Sequence, residues 1–599
     1  MPAPLVRKAI WALVAGCVAI ALAVVSLPLI ASTQIVRARI AQELSLHTGY
    51  RVTLGEAPDL VLWPSLKTVL HRVSFTRWGS PGGSPVLEAE RVEAGLSAWQ
   101  ALAGRIDFTT VTLVRPVLRL DEPVDLAWPQ LLGDNRLIAL LKAADQGQVT
   151  DAPAFGTVRF VEGRVIDTTS GEEIASDLAG LAEWRTTASP ILVNGTGVWR
   201  GEKIKYALGV ETPLKLAARD VSAVSLSLES DPVKASFSGT VSRREGFSYE
   251  GQFSMSSPSV LRALEWSRAD FPPGASMGAM SLSGRATGTG PHLKFADARL
   301  SLDDNPGAGA LEVDFDRVVP RVSGTLAFDT LDLGNFLAAF ASPVDPTSPL
   351  PIFDLSFTDQ FNLDLRVSAG RATVAGVELV DVAATAQARS GFAAFDISDA
   401  TAFGGEIQAG FRVDRKPEGE TGEMRISGED IDWGLLSQRL GWAHNRIAAR
   451  GVVNLTLKSR IADAGSLPRA VEGTVSARLG PGTLQDFDLA KLLAYRPGSG
   501  FFPLGAVAGG PLAFEGAELK ATLGKGVARI DTAKAWTTDQ EIIVEGIVPY
   551  VGRSLALSLT VDERDPPGAA PTPEDAVGYF VGGSWDSPYV SALATTFEP

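Results

Sequence analysis

Phe361-Asn362-Leu363-Asp364-Leu365-Arg366-Val367-Ser368 places an apolar residue at every second position and a polar one between each pair. Side chains of a strand alternate between its two faces, so this octapeptide carries one apolar face and one wet face. The same period recurs along the chain. Val453, Leu455 and Leu457 alternate with Asn454, Thr456 and Lys458, and Val224, Leu226 and Leu228 with Ser225, Ser227 and Glu229. Phe247, Tyr249, Phe253 and Met255 stand against Ser248, Glu250, Gln252 and Ser254. Strands of this kind suit antiparallel sheets covered on one side, and Gly- or Asp-rich turns separate them at short intervals. The spacing of apolar residues predicts only a few short helices beyond residue 47, at Trp99 to Gly104, Gln130 to Ala144, Ser256 to Trp266, Leu333 to Phe340 and Trp433 to Leu440. Most are too short to cover a long sheet. Two arrangements remain for the apolar faces: a sandwich of two packed sheets, or a curved open sheet with an apolar trough.

Outward from the strands, the most distinctive segment is the N-terminal run AIWALVAGCVAIALAVVSLPLIA, Ala9 to Ala31, preceded by Arg7 and Lys8. As a helix it spans roughly 34 Å, enough to cross a hydrocarbon core of about 30 Å. A secretory signal would have a shorter apolar region and a small-residue cleavage site. Ser32 to His47 instead continues with Val36, Ile40 and Leu44 four residues apart, the spacing of one helical face. The expectation is a retained single-pass anchor with residues 1–31 as stub and span, its basic end cytoplasmic and the rest of the chain across the membrane.

Composition limits what the remainder can do. Of 599 residues, 45% are hydrophobic and 21% charged, which supplies a folded interior rather than a disordered chain. The single cysteine, Cys17, lies in the apolar run, so the exported part contains no thiol and no intramolecular disulfide. That suits an oxidising compartment such as a bacterial periplasm. A formal net charge of −15 argues against a nucleic-acid partner and against lying flat on an anionic membrane. The pairs Arg243-Arg244 and Arg415-Lys416 read as solvated turns. Two Pro-rich stretches, Ala341 to Pro351 and Glu563 to Asp575, have loop composition; the first is taken as a linker between β-rich regions 32–340 and 352–599.

The catalytic inventory is thin. His47, His71, His292 and His444 are scattered and form no metal-binding pair at helical spacing, and no carboxylate pair stands out. Gly274-Ala275-Ser276-Met277-Gly278 matches the G-x-S-x-G elbow of hydrolases. Phe271-Pro272-Pro273 precedes it where the elbow needs an apolar strand, and a strand-like pattern follows where it needs a helix. Ser276 therefore reads as part of a connection. Gly288-Thr289-Gly290 lacks the remaining residues of a phosphate loop. No enzyme, metal or cofactor is expected.

Several passages together resemble the AsmA family of bacterial envelope proteins. After the juxtamembrane helix come Thr48-Gly49-Tyr50-Arg51-Val52 and Leu60-Val61-Leu62-Trp63-Pro64-Ser65-Leu66, then Val86-Leu87-Glu88-Ala89-Glu90-Arg91-Val92, Gly104-Arg105-Ile106-Asp107-Phe108 and Leu113-Val114-Arg115-Pro116-Val117-Leu118. Later, Ala402-Phe403-Gly404-Gly405-Glu406-Ile407 resembles the family's Gly-Gly strand start, and Ile431-Asp432-Trp433-Gly434-Leu435-Leu436 its turn-helix insert. Gly480 to Leu493 is similar to its Gly-x-Leu segment with an Asp-Leu helix start, and Phe580 to Pro588 to its terminal Gly-x-Trp strand.

The resemblance implies a mainly β protein: an N-terminal transmembrane helix followed by a long curved antiparallel β-sheet groove with a few short helices. It also implies an inner-membrane-anchored periplasmic protein that carries phospholipid toward the outer membrane, similar to bridge-like lipid transfer proteins. No lipid-contacting residue transfers position by position. From alternation alone, the candidate groove residues are Phe361, Leu363, Leu365, Val367, Val453, Leu455 and Leu457. The alternative is a scaffold for outer-membrane protein assembly whose apolar faces close into a core. The inner membrane, phospholipid and envelope proteins are the expected partners.

Overall fold

The structure, a computed structural model, describes residues 37–38, 40–42, 44–45, 50–61, 67–77, 84–96, 108–120, 153–168, 170–244, 246–267, 278–317, 319–334, 355–359, 361–417, 419–439, 447–460, 467–564 and 576–593. Strands dominate them. Two compact units result, Met1–Pro258 with Ser281–Leu293, and Ser259–Met280 with Lys294–Pro599.

In the first unit, Arg51–Leu54 and Asp59–Val61 both pair with Lys67–Thr76, Lys67–Thr76 pairs with Leu87–Leu96, and Leu87–Leu96 pairs with Phe108–Leu120. From Pro153–Asp167 the order is sequential: Glu173–Thr186, Ile191–Trp199, Glu202–Val210, Ser222–Ser230, Lys234–Ser242 and Ser248–Ser257, all antiparallel. The second unit runs Asn305–Asp314, Arg321–Asp332, Asn362–Val374, Val377–Arg389, Phe392–Ala402, Gly405–Lys416, Gly419–Asp432, Ile447–Arg460 and Glu472–Leu484. It continues through Gly516–Gly524, Val527–Trp536, Gln540–Val548, Ser554–Glu563, Val577–Ser584 and Ser587–Ala592. Register shifts at Val380/Ala383, Ile397/Thr401, Gly428/Ile431 and Ala449/Gly451 fall near one level of neighbouring strands and bend each of them there.

The expectation of an antiparallel sheet needs one correction. Phe108–Leu120 pairs in parallel with Pro153–Asp167, and Arg321–Asp332 in parallel with Asn362–Val374. Parallel neighbours need a crossover of about a dozen residues or more, and residues 121–152 and 333–361 supply that length. Alternation within a strand carries no information about its neighbour's direction. The linker segment 341–351 lies outside the described residues, and the strands flanking it are those parallel neighbours.

Short helices sit at strand ends. Trp433–Arg439 forms within its expected range, while Val260–Ser267 runs one residue past the expected end and starts later than expected because Ser256 and Ser257 finish strand Ser248–Ser257. Leu333 and Gly334 are helical, while the rest of that segment and the helices expected at 99–104 and 130–144 lie outside the described residues. Alternation did not signal Pro213–Ala217, Leu467–Ala470 or the 3-10 turns Ser356–Asp359 and Leu504–Val507. Leu489–Ala494 starts where the Asp-Leu resemblance places it, with the Asp488 carboxylate accepting from Lys491 N at 3.1 Å.

The described part of 32–47 is helical, and Ile40 and Leu44 are buried against Val52, Leu54, Leu70, Val73 and Phe75. The apolar run 9–31 lies outside the described residues. Among the described residues no helix is long and apolar enough to cross a membrane.

A second core closes the final strands. Phe487, Leu489, Leu492, Phe502 and Val507, from the connection between Glu472–Leu484 and Gly516–Gly524, pack on Ile542, Val561, Tyr579, Val581 and Val590. The buried Tyr579 hydroxyl donates to Leu492 O at 3.0 Å, and Tyr495 stacks on Phe502 with ring centroids 3.7 Å apart.

Candidate functional site

Residues directly opposite one another across a ladder share a face of the sheet, so strand register converts local alternation into rows. In the second unit one row passes through Leu326, Val367, Ala384, Ile397, Ala409, Ile426, Leu455, Val475, Ala521, Ile530, Gly546, Leu557, Val581 and Val590. Its neighbour passes through Leu311, Gly324, Leu365, Ala386, Phe395, Phe411, Met424, Leu457, Gly473 and Leu523. Neither contains a polar or charged side chain. At about 4.8 Å per strand, the first row is on the order of 60 Å long.

Exposure changes along the rows. Leu326, Val367, Ala384 and Ile397 are buried at one end, and Val581 and Val590 at the other beneath the 487–507 connection. Ala409, Ile426, Leu455 and Val475, in the middle, are only half-buried.

The seven sequence candidates fall into this pattern unevenly. Val367 and Leu455 belong to one row, Leu365 and Leu457 to the other. Leu363 lies one row further out, opposite Val322 and Ala388, and Val453 lies opposite Gly428 and Ala477. Phe361 precedes its strand and is half-buried. Leu365 and Val367 are buried at 8% exposure, whereas Leu455, Leu457 and Val453 keep open surface.

The reverse face carries the charges. Arg321 pairs with Asp364 at 3.0 Å, and Arg425 and Lys458 reach Glu423 at 2.6 and 3.7 Å. Burial opposes ionisation of Glu423, but the Arg425 hydrogen bond and the neighbouring cations outweigh it and hold the carboxyl below its ordinary value. In the first unit a corresponding apolar row runs through Ala94, Val111, Val158, Ala182, Val193, Leu208, Leu226, Phe237 and Phe253. Leu226 is 50% exposed on it. Burial beside these rows pushes the Tyr206 and Tyr249 phenols up.

Sequence periodicity missed a hollow of about 260 Å³ in the second unit. Trp433, Ile447, Ala477, Leu479, Ala517, Leu519, Ala533, Ala535, Ile542 and Val544 line it, with Glu518 and Lys534. The helix carrying Trp433 was legible; the hollow depends on register, which sets Leu479, Ala517, Ala535 and Ile542 in one row and Ala477, Leu519 and Ala533 in the next.

Ser276, His47 and His444 lie outside the described residues, and His71 meets Asp59 at 3.3 Å on the surface. Gly290, at φ +56°, lies in the turn that follows strand Met280–Thr289. Among the described residues no group of His, Cys, Asp and Glu is arranged to hold a metal. Comparisons with protein-family models, curated proteins and solved structures produced no match.

Proposed function

We propose that this chain is a nonenzymatic, AsmA-like lipid-handling protein, anchored in a bacterial inner membrane by residues 9–31, with its bulk periplasmic. It holds phospholipid acyl chains on the apolar sheet faces and moves them toward the outer membrane. The observation that carries the reading is the uncharged row from Val367 to Leu557, half-buried through Ala409, Ile426, Leu455 and Val475. A monomeric protein rarely leaves such a surface to water, and an acyl chain laid on it gains about 0.8 kcal/mol per buried CH₂. The span from Val367 to Leu557 is on the order of 50 Å, against about 30 Å for the hydrocarbon core of a bilayer, so acyl chains fit end to end along it. Head groups need no specific pocket, because they remain in water at the rim.

Native mass spectrometry of the detergent-purified full chain tests the proposal. Copurified phospholipid is the expected result, and a lipid-free protein that also takes up none from vesicles refutes it. The scaffold alternative finds its support in the closed core around Tyr579, but that core covers only the final strands.

A further inference from the structure

On the last strands the reverse face holds a row without charge. Register sets Ile547, Ala556, Gly582, Tyr589 and Pro503 side by side, away from Val581 and Val590, with Arg529 and Glu545 at the margin. Pro503 belongs to a two-residue strand, Phe502–Pro503, that adds itself to Ser587–Ala592 at the edge of the sheet. Gly582 makes room for rings: Phe580, on the same face, lies over it, and Tyr589 stands directly across from it. Phe502 is buried on the trough side, so Phe501 before it turns outward and is 72% exposed. In the turn between the last two strands, Trp585 donates from its indole to Ser554 O at 3.1 Å and lies under the Arg553 guanidinium. Tyr589, Trp585 and Phe580 are 48%, 42% and 39% exposed. An aromatic side chain has about 150–250 Å² to bury, so the four rings leave on the order of 400 Å² open to water.

We propose that this aromatic patch seats on the surface of a phospholipid bilayer with neutral head groups, its rings entering the head-group region. The choice of occupant rests on the lipid-handling reading, since a protein that loads or unloads phospholipid has to meet a bilayer, and three observations favour it. Exposed Trp and Tyr are the residues that settle at membrane–water interfaces, where the ring faces hydrocarbon and its polar tip faces water. The open area is about half of the roughly 800 Å² that one partner contributes to a standard protein interface, so a second copy of this chain gains too little from it. The arginines at the margin are each paired with a carboxylate, Arg553 with Asp586 at 3.5 Å and Arg529 with Asp531 at 3.3 Å, which leaves them no preference for an anionic surface. Attachment therefore comes from ring area, and salt does not screen it.

The test uses the full chain with Cys17→Ser and one new cysteine bearing the fluorophore NBD, either Ser587→Cys beside the patch or Ser368→Cys on the charged face; both positions are exposed. Each protein is reconstituted in phosphatidylcholine vesicles with and without phosphatidylcholine that carries a nitroxide near its head group, a quencher that acts only at the bilayer. Emission from Ser587→Cys should fall about threefold with the nitroxide lipid, and that from Ser368→Cys should stay nearly unchanged. Raising salt from about 50 to 500 mM should leave the quenching in place. Phe501→Ser with Tyr589→Ser removes two exposed rings and should restore most of the Ser587→Cys emission; should the pair fail to fold by thermal melt, Phe501→Ser decides alone. Unquenched Ser587→Cys, quenching that survives loss of the rings, or quenching abolished by salt each overturns the bilayer contact. Emission that changes with protein concentration in micelles, without vesicles, overturns it in favour of a second copy of this chain. Copurified phospholipid reads lipid handling separately: a lipid-loaded protein with unquenched Ser587→Cys loses the contact alone, and a lipid-free protein with quenched Ser587→Cys loses the lipid-handling reading while the contact stands.

Discussion

Leu455→Glu separates an open apolar surface from a closed core. Leu455 is half-buried in its row between Ile426 and Val475. Fully burying a leucine is worth about 1.5–3 kcal/mol, so losing a partly buried one costs about 1 kcal/mol, and the new carboxylate can turn to water. For a unit of this size, more than 300 residues, that is a melting shift of roughly 1–2 °C. Val413, with no exposed surface, is the reference: Val413→Asp buries an unpaired charge and should cost several kcal/mol. Lipid responds in the opposite order of severity. A carboxylate in the acyl path is opposed by about 2.5–3.5 kcal/mol, the scale for a charge at the centre of a bilayer, which is about a hundredfold in local occupancy. Copurified phospholipid and thermal unfolding are measured on the same sample of each variant. A Leu455→Glu protein that melts near wild type and carries much less lipid supports the open surface. Destabilisation matching Val413→Asp would refute it, and unchanged lipid with unchanged melting would refute the assignment of that face.

Three further outcomes are expected. Tyr579→Phe removes the hydroxyl donor to Leu492 O and should cost about 1 kcal/mol, read as faster amide exchange over Leu489–Ala494; unchanged exchange would mean the bond does not hold that helix to the sheet. The Asp359 carboxyl is held below its usual range by the Ser390 hydroxyl first and Arg415 second, so its stabilisation is complete above about pH 4 and fades as pH falls through the lowered value. Asp359→Asn should therefore lower the melting temperature at pH 7, with the difference shrinking under acid; a difference independent of pH would exclude the ionised form as its source. Gly239 and Gly251 face each other across Lys234–Ser242 and Ser248–Ser257, and a Cβ on Gly239 would collide with the Gly251 Cα, so Gly239→Val should destabilise the first unit by about 1–3 kcal/mol in denaturant unfolding.

How far each feature was legible depends on the range of the physics behind it. Alternation at Phe361 to Ser368 and Val453 to Lys458 follows from the geometry of a single strand, so the mainly β class and the polarity of each face could be read locally. The buried helical stripe of Ile40 and Leu44 could be read for the same reason. Whether Val367 and Leu455 share a row could not, because four intervening strands set their register through backbone hydrogen bonds between distant segments. Burial was equally hidden: Val367 and Leu455 have the same local pattern, yet one is covered and the other half-open. The two parallel neighbours were invisible because strand direction belongs to the connection rather than to the strand. The hollow under Trp433 is the furthest from the sequence, since its alanines are ordinary strand residues until pairing sets them side by side. Composition and periodicity determined what kinds of surface this chain presents; tertiary structure decided which of those surfaces join and which stay uncovered, because register and covering are properties of contacts between residues far apart in the chain.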